Sequence, residues 1–380
     1  MAELSEIRDR IDAVDEQILA LFKDRMALTD EVAAYKAEHG LPILDRTRER
    51  NKLVQVMDEA PEHLRDYTAV LFNLLFEVSR ANQSQAMNPS ELMGRIEAAR
   101  AETPELFPQS AFVACQGVEG AFSQIAADRL FKHPQLTYFG TFEAVFKAVD
   151  QGFCDYGVLP LDNSTAGSVN QVYDLMRDFN FSIVRTVRLK VNHHLIAKPG
   201  TTLEQITDIY SHQQALDQSA DFLASLEGVT LHVVENTAVA AKMVMESDNP
   251  GAAALGSHAA ADTYGLVIVR RSVQDLDNNY TRFACISKKL QIFPGADRTS
   301  LMVVVANEPG ALYKVLARFY SYDINLVKLE SRPLPDRDFE YLFYFDMECP
   351  AAAPEFARMM GGLEDVCQEF RYLGTYTEVL

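Results

Sequence analysis

The sequence predicts a multidomain protein with an all-α N-terminal region, an α/β middle region and an α+β C-terminal region. The first 87 residues repeat apolar side chains at helical spacing, and short apolar runs alternate with helical stretches from Ala111. The last 80 residues follow the order βαββαβ. A chain of 380 residues is also too long for one ordinary domain. We therefore expect domains at residues 1–87, 110–290 and 299–380, with a linker at 88–109 that has a helical middle.

The composition indicates a globular protein and argues against binding to nucleic acid or to an anionic membrane. It is 48% hydrophobic and 23% charged, and the net charge is −19. Nucleic acids and anionic membranes require clustered Lys and Arg, so neither is an expected partner. The N-terminal segment MAELSEIRDR has no apolar signal core, and no apolar run reaches the roughly 18 residues of a membrane span. We expect a cytoplasmic protein.

Cysteine and histidine usage predicts no metal site and no cofactor. The five cysteines are scattered and form no C-x-x-C pair, so neither a disulfide framework nor a zinc site is indicated. His193 and His194 are adjacent, and adjacent side chains on a strand point to opposite faces. They are therefore unsuited to binding one metal ion together.

Three helices are predicted in the N-terminal region. In the first, apolar residues recur at alternating spacings of four and three, and it should end near Glu38, before Gly40 and Pro42. A second helix is expected at 46–59, and Pro61 opens a third that runs to about Gln85. The apolar row comprises Ile7, Ile11, Val14, Ile18, Leu21, Leu28 and Val32. Because two shorter helices bury such a row poorly, we expect an intertwined dimer.

Arg25 interrupts the apolar row of the first helix, and an unpaired buried cation is very costly. Lys36 lies eleven residues later, which places it about 20° from Arg25 around the helix, whereas Arg8 lies about 100° away. In the third helix Ser79 and Gln83 are four residues apart and share a face. Taken singly, each of these is more often an ordinary surface residue of a long helix.

As a set, these residues resemble the all-helical chorismate mutase family over about 85 residues. The resemblance implies that Arg25 and Ser79, with Arg8 of a partner chain, hold the two carboxylates of chorismate. It implies that Lys36 and Gln83 donate to the ether oxygen, which gains negative charge as the C–O bond breaks. Three further residues would act on the ring hydroxyl or brace the carboxylates: Asp45 and Glu49 in the first role, Arg48 in the second. Such a rearrangement needs no nucleophile, so restriction of the substrate and preorganised donors suffice.

The middle region alternates nine strand-like runs with five helical stretches, near 123–132, 141–151, 168–179, 214–226 and 237–247. Residues 191–270 are interpreted as a second lobe inserted into the first. A cleft between two lobes is a usual place for a small ligand.

Four motifs of the middle region resemble the prephenate dehydratase family over roughly residues 110–290. They are GVEGAFS (117–123), PLDNSTAGSV (160–169), SHQQALDQ (211–218) and NYTRF (279–283). Taken singly, each is more often a helix cap, a turn or a strand start. The resemblance implies a two-lobed, periplasmic-binding-protein-like cleft in which Thr281 is the general acid that protonates the leaving hydroxyl of prephenate. The other residues that the resemblance places at the substrate are Asp162, Asn163, Ser211, Gln218 and Arg282, the last as a carboxylate binder.

Two positions depart from that family pattern. The family usually has Glu where this chain has Asp162, and Ser or Thr where it has Ala121. The first change shortens an acidic side chain by one methylene, and the second removes a hydroxyl.

The C-terminal region, with its ferredoxin-like order, resembles the amino-acid-binding ACT domains attached to prephenate dehydratases. NEPGAL (307–312) joins a strand to a helix, and ESRP (330–333) ends the next strand. The resemblance implies feedback inhibition by phenylalanine bound between paired domains, in a homodimer or homotetramer. The implied effector residues are Gly310, Ala311, Leu312, Glu330, Ser331, Arg332 and Pro333. A dimerisation module without a ligand is the alternative.

The resemblances together imply an enzyme of phenylalanine biosynthesis that converts chorismate to prephenate and prephenate to phenylpyruvate. One alternative is a dehydratase that prefers arogenate, the amino-acid analogue of prephenate. A second is a cytoplasmic amino-acid-binding sensor that uses the same folds without catalysis. A mutase fused to a dehydrogenase would need a dinucleotide-binding glycine fingerprint, which the sequence lacks.

Overall fold

A computed structural model describes residues 4–87, 91–334, 340–364 and 366–380. The chain divides into two compact units. The first comprises the described residues of Met1–Glu97, Met302–Tyr344 and Ala352–Arg371, and the second those of Ala98–Leu301, Phe345–Ala351 and Tyr372–Leu380. No helix in the described ranges is long and apolar enough to cross a membrane.

The N-terminal helices agree closely with the predicted ones. The second matches in both bounds, and the third is preceded by a 3₁₀ turn at Glu62–Leu64 after Pro61. A further helix falls where the helical middle of the linker was expected. The four helices are α1 (Leu4–His39), α2 (Arg46–Glu59), α3 (Arg65–Met87) and α4 (Glu91–Glu102).

The apolar row of α1 is uncovered in the single chain. Its seven side chains, from Ile7 to Val32, are between 43% and 69% exposed, whereas Thr29 and Ala33 are buried. The buried side of α1 packs on α3, which also packs on α2. The row is therefore a large apolar surface that these helices alone do not cover.

The second unit alternates strands and helices from residue 112 to residue 287. In chain order the elements are β1 (Phe112–Gln116), α5 (Phe122–Leu130), β2 (Gln135–Phe139), α6 (Phe142–Asp150), β3 (Tyr156–Asn163), β4 (Gly167–Ser168), α7 (Asn170–Asp178), β5 (Ser182–Lys190), β6 (His194–Ala197), β7 (Asp208–Ser211), α8 (Gln213–Asp217), α9 (Ala220–Ala224), β8 (Thr230–Val233), α10 (Thr237–Glu246), β9 (Ala252–Gly256), α11 (His258–Thr263), β10 (Val267–Arg270) and β11 (Tyr280–Ser287).

The C-terminal elements follow the predicted order βαββαβ. They are β12 (Arg298–Val304), α12 (Ala311–Ser321), β13 (Asn325–Pro333), β14 (Tyr341–Glu348), α13 (Pro354–Glu364) and β15 (Glu369–Val379). Within the first unit the strands lie in the order β13-β14-β12-β15, which is the ferredoxin-like arrangement. Three strands, β12, β14 and β15, contribute residues to both units.

The larger sheet of the second unit forms the first lobe and carries the strands that matter for the site. Its order is β14-β12-β15-β5-β11-β3-β1-β2, with β4 paired to β3. The central strand β11 runs antiparallel to both β3 and β5. Its inward side chains Phe283 and Cys285 join Val113, Val158 and Val187 in the core.

The second lobe is a separate five-stranded sheet of order β10-β6-β9-β7-β8, built from residues 194–270. Each face is covered by its own apolar cluster, because successive strand residues point to opposite faces. Ile196 packs with Ala240 of α10 on one face, and Leu195 packs with Leu216 of α8 on the other. These bounds agree with the predicted inserted lobe.

Three elements of this lobe differ from the prediction. The helix expected at 214–226 is two short helices, α8 and α9, because Ser219 leaves the helical conformation at φ −125° and ψ 26°. The strand β6 and the helix α11 were not predicted. Both are only four to six residues long, too short for a periodic pattern to establish.

Gly374 of β15 gives a prediction about stability. Its φ is +135°, and a Cβ there would lie 2.2 Å from the Ile183 carbonyl oxygen of β5. We expect Gly374→Ala to cost at least about 2 kcal/mol, because a positive φ and forced overpacking each cost about 1–3 kcal/mol. Thermal unfolding would show a clear drop in Tm. Gly140→Ala is the control, because nothing lies within 4 Å of its added Cβ. Equal Tm values for the two variants would contradict the prediction.

Candidate active sites

In the helical region, the two helices α1 and α3 bring Arg25 and Ser79 together. Arg25 Nη1 donates to Ser79 Oγ and, at 3.0 Å, to the Leu75 carbonyl oxygen. Burial lowers the pKa of Arg25, and the carboxylate of Glu49 raises it in part. The cation that interrupts the apolar row therefore has polar partners on α3 and an acidic side chain nearby.

Lys36 lies eleven residues, or about three turns, after Arg25 on the same face of α1, and it contacts Gln83. Its Nζ donates to Gln83 Oε1 at 3.3 Å and to the Ile43 carbonyl oxygen at 2.5 Å. Because Oε1 of Gln83 accepts this bond, the amide Nε2 of Gln83 remains a donor for a ligand. The structure thus brings together four of the predicted mutase residues.

The first turn of α2 supplies the acidic residues. Asp45 caps the helix by accepting from the Arg48 backbone N–H at 3.0 Å. Glu49 accepts from Arg80 Nη1 at 2.5 and 2.6 Å through its two oxygens. Arg80 was not predicted, because it follows Ser79 directly and no periodic signal distinguishes it. Arg48 and Arg8 are exposed in the single chain, and Arg8 is the residue expected to serve a partner chain's site.

The second unit contains a cavity of about 420 Å³ between its two lobes. The cavity is lined by the first turns of α5 and α10, by strand ends of the first lobe and by residues of α8. Thr281, Asn163 and Gln218 are predicted site residues that line it. No Lys or Arg is among the described residues that line this cavity.

Thr281 is held by a closed ring of amide and hydroxyl groups. Asn163 Nδ2 donates to Thr281 Oγ1 at 2.8 Å and to Asn279 Oδ1 at 2.7 Å. Asn279 Nδ2 donates to Gln218 Oε1 at 2.8 Å, and Gln218 Nε2 donates to Thr165 Oγ1 at 2.8 Å. Thr165 Oγ1 donates back to Asn163 Oδ1 at 2.7 Å. The ring fixes Asn163 as a donor to Thr281, so the Thr281 hydroxyl hydrogen is directed to another acceptor.

Asn279 and Thr165 were missed as site residues, although both lie within the motifs that carried the prediction. Asn279 opens NYTRF, and Thr165 follows the DNS run. Their role depends on bonds that join the two lobes, and no single motif displays such bonds.

Ser211 lies outside the cavity. It ends β7 and is fully buried, and its hydroxyl donates to the Leu255 carbonyl oxygen of β9 at 2.9 Å. The bond satisfies a buried hydroxyl within the second-lobe sheet. The expectation that Ser211 lines the cleft is therefore corrected.

Asp162 and Arg282 also lie on the side of the strands that faces away from the cavity. Arg282 is only 8% exposed, and its Nε and Nη2 donate to Asp162 Oδ2 at 3.0 and 2.6 Å. Its Nη2 also donates to Asp346 Oδ2 at 2.5 Å. Burial lowers the pKa of Arg282, but the negative charges around it, Asp346 first, raise it above its usual value. Arg282 thus forms buried ion pairs where a carboxylate binder was expected.

His193 adds a neutral polar side chain to the cavity. Its Nε2 lies 3.2 Å from Gln218 Oε1, which can only accept, so Nε2 carries the hydrogen. Burial lowers the pKa of His193, and the bond to Gln218 opposes that shift. Among the described residues, no three His, Cys, Asp or Glu side chains are arranged to hold a metal ion.

The predicted effector residues lie at two places in the first unit. Gly310, in the left-handed conformation at φ 82°, caps α12, whose first residue Ala311 is buried. The second group, Glu330–Pro333, ends β13, the outermost strand of its sheet. The side chain of Glu330 is ion-paired with Lys328 at 3.2 Å.

Comparisons with known proteins match the two regions in which these residues lie. The family model of chorismate mutase type II matches residues 7–84, and that of prephenate dehydratase matches residues 113–291. A bifunctional chorismate mutase/prephenate dehydratase of Aquifex aeolicus is 31% identical over 100% of this chain and 99% of its own. Arogenate dehydratase/prephenate dehydratase 2 of Arabidopsis thaliana is 38% identical over 70% of this chain and 72% of its own.

Among solved structures, the prephenate dehydratase of Arthrobacter aurescens in complex with L-Phe has a TM-score of 0.64. It is 26% identical and covers 70% of this chain and 89% of its own. The Aquifex relative is similar along its whole length, and the two family models match the two regions that hold the sites. The chain belongs to the family of bifunctional chorismate mutase/prephenate dehydratases.

Proposed function

We propose that this chain rearranges chorismate to prephenate in its helical region and converts prephenate to phenylpyruvate, water and CO₂ in its two-lobed region. The observation that carries the second step is the Thr281 hydroxyl, which lines the cavity and accepts from Asn163 at 2.8 Å. The first step is supported by the Arg25–Ser79 and Lys36–Gln83 pairs between α1 and α3.

In the mutase site, catalysis depends on binding the charged groups of the substrate and on holding it in the reactive conformation. Arg25 and Ser79 bind carboxylate oxygens, Arg8 of a partner chain joins them, and Arg48 braces the carboxylates. Glu49 and Asp45 accept from the ring hydroxyl. Lys36 and the Gln83 amide donate to the ether oxygen as its C–O bond breaks and negative charge grows there. A rate increase of about 10⁶ corresponds to about 8 kcal/mol, which several charge-assisted contacts can supply.

In the dehydratase site, Thr281 gives its proton to the ring hydroxyl, which leaves as water. The electron pair of the carboxylate C–C bond moves into the ring, which becomes aromatic, and the carboxylate leaves as CO₂. A threonine hydroxyl is a poor acid, so the leaving C–O bond must weaken as the proton moves. The Asn163 amide, which donates to Thr281 Oγ1, stabilises the negative charge that remains there.

Helix N-termini are the candidate binders of the substrate carboxylates, since no cation is among the described residues that line the cavity. The first turn of α5 lines the cavity, and its N-cap residue, Ala121, has no side-chain oxygen to cap it. The backbone N–H groups and the helix dipole favour an anion at such an end. The departure at Ala121 thus leaves that end of the helix uncapped by its own side chain.

We propose a homodimer or a homotetramer. The exposed apolar row of α1 supports an intertwined pair of helical regions, and Arg8 then reaches a partner's site. The outermost strand β13 carries exposed Val327 and Leu329 and supports a second pairing surface.

We propose that the C-terminal region binds phenylalanine and inhibits dehydration. Gly310, the left-handed N-cap of α12, supports this role. It has no side chain to cap the helix, so the backbone N–H groups of the first turn are available to a carboxylate. The ferredoxin-like order of the strands supports it as well.

A coupled assay tests the proposed function. Purified protein is given chorismate, and the ultraviolet absorbance of phenylpyruvate is followed with and without phenylalanine. We expect product to form and phenylalanine to suppress it. Failure to consume chorismate or to release CO₂ from prephenate would refute the enzymatic assignments. An unchanged dehydration rate with phenylalanine would support a dimerisation module without a ligand. Faster turnover of arogenate than of prephenate would favour the alternative substrate.

A further inference from the structure

The strand pair β3–β11 has two functional faces. Thr281 pairs with Asn163 and Arg282 pairs with Asp162 in the antiparallel register. Because neighbouring strand residues point to opposite faces, the first pair lines the cavity while the second faces away from it. The register shifts directly after Arg282, where Phe283 pairs with Pro160. Such bulges fix the direction of neighbouring side chains and occur beside active sites.

The far face of this strand pair is bonded to three strands of the C-terminal region. Tyr376 of β15 and Ser300 of β12 have hydroxyls 2.7 Å apart, and Ser300 Oγ donates to Asp346 Oδ1 of β14 at 2.5 Å. Asp346 Oδ2 accepts from Arg282 Nη2 at 2.5 Å. These residues all belong to the second compact unit. A continuous hydrogen-bonded chain therefore leads from β15 to the backbone neighbours of Thr281 and Asn163.

The charge balance of this cluster depends on its one cation more than on either carboxylate. Arg282, Asp346 and Asp162 place one cation against two carboxylates, with Arg282 and Asp346 buried. Loss of the cation would leave two carboxylates together, whereas loss of one carboxylate leaves a balanced pair. The cluster is held in one geometry because each group has a charged or hydroxyl partner.

We propose that Asp346, acting through Arg282, is a positioning residue that holds Thr281 and Asn163 in the geometry needed for dehydration. This inference rests on the proposed function of the cavity. Arg282 does not line the cavity and is not assigned to substrate binding. Arg282 holds β3 and β11 in place from the face opposite the cavity. Through Asp346, strand β14 of the C-terminal region thereby determines the positions of Thr281 and Asn163 in the cavity. A displacement of about 1 Å at a reacting group can cost about 10²-fold in rate.

The test compares Asp346→Asn with wild type and with a matched control. Asparagine keeps the shape and an acceptor for Arg282, and it leaves Arg282 balanced by Asp162. We expect kcat for prephenate to fall by about 10- to 100-fold, while KM changes less than about twofold. Glu348→Gln removes the same charge from the same face of β14 at an exposed position, and should leave both constants unchanged. Mutase activity, measured on the same samples, reports that the helical region is folded and gives the amount of active protein.

A double-mutant cycle separates positioning from a general structural defect. When Asp346→Asn is added to Thr281→Ala, the second loss should be less than about twofold, because the first change has removed the group being positioned. Ser300→Ala is a milder variant that removes the donor to Asp346 together with the hydroxyl partner of Tyr376, and we expect kcat to fall by about two- to fivefold. It decides the question if Asp346→Asn fails to fold.

Three results would overturn the inference. The first is an unchanged kcat in Asp346→Asn or, if that variant does not fold, in Ser300→Ala. The second is a rise in KM at constant kcat. The third is an equal fall in kcat on adding Asp346→Asn to wild type and to Thr281→Ala. Wild-type turnover of prephenate in the same experiment reports separately on the proposed function, since the inference concerns only ratios between variants.

Discussion

Replacement of Thr281 by alanine is expected to lower kcat for prephenate dehydration by about 10²- to 10⁴-fold. The variant removes the only hydroxyl to which Asn163 Nδ2 donates in the described structure, and with it the proton offered to the leaving group. Asn163 keeps its bond to Asn279, so the ring around the site remains closed. KM should therefore change little. Steady-state kinetics with prephenate measure both constants.

Thr281→Ser is the informative companion variant. It retains the hydroxyl and loses a methyl group, so it should recover most of the lost rate. Thr230→Ala, at an exposed strand position of the same unit, controls for the loss of a threonine elsewhere. Full dehydratase turnover in Thr281→Ala would refute the general-acid assignment, and mutase turnover should stay at the wild-type level in all three variants.

Helical periodicity made the N-terminal region predictable in detail. The bounds of α2 were obtained from sequence, and the spacing of Arg25 and Lys36 placed both on one face of α1, which in the structure meets α3. A helical repeat of apolar residues sustained over about seven turns leaves little freedom in the assignment. The uncovered row on α1 follows from the same pattern, since the sequence shows more apolar surface than two short helices cover.

The dehydratase region was predictable in its strands and less so in its side-chain directions. Thr281 and Arg282 are adjacent on β11, so only one of them can face the cavity. That argument separated His193 from His194 at the sequence level, and it applies equally to TRF. The partner of Arg282 on the far face is Asp346, 64 residues away. No local pattern reports a contact at that separation.

Short elements and cross-lobe bonds account for the remaining differences. The break at Ser219 places the Gln218 amide in the ring that holds Asn163, and neither helical nor strand periodicity predicts such a break. The buried hydroxyl of Ser211 has an ordinary partner in Leu255. The sequence alone does not distinguish a strand-end serine that bonds to a neighbouring strand from one that binds substrate, because the difference depends on which residues lie next to it in space.

Lys36→Ala is expected to lower mutase kcat/KM by about 10²- to 10³-fold, the usual loss when one donor to a developing oxyanion is removed. Lys36 has two roles in the proposed mechanism. Its ammonium donates toward the ether oxygen, and its bond to Gln83 Oε1 turns the Gln83 amide hydrogens toward the substrate. Alanine removes the charge and leaves Gln83 free to rotate. Chorismate consumption by the purified variant measures the loss.

Lys52→Ala is the matched control, because it removes an exposed lysine of α2 that donates to Gln55 Oε1 at 3.3 Å. It should keep wild-type mutase turnover. Dehydration of added prephenate should be normal in both variants, which shows that the protein is folded and correctly quantified. Near-normal chorismate turnover in Lys36→Ala would mean that the ether oxygen has another donor. The contact between α1 and α3 at Lys36 and Gln83 would then be structural, and Arg25 and Ser79 would have to stabilise the transition state without it.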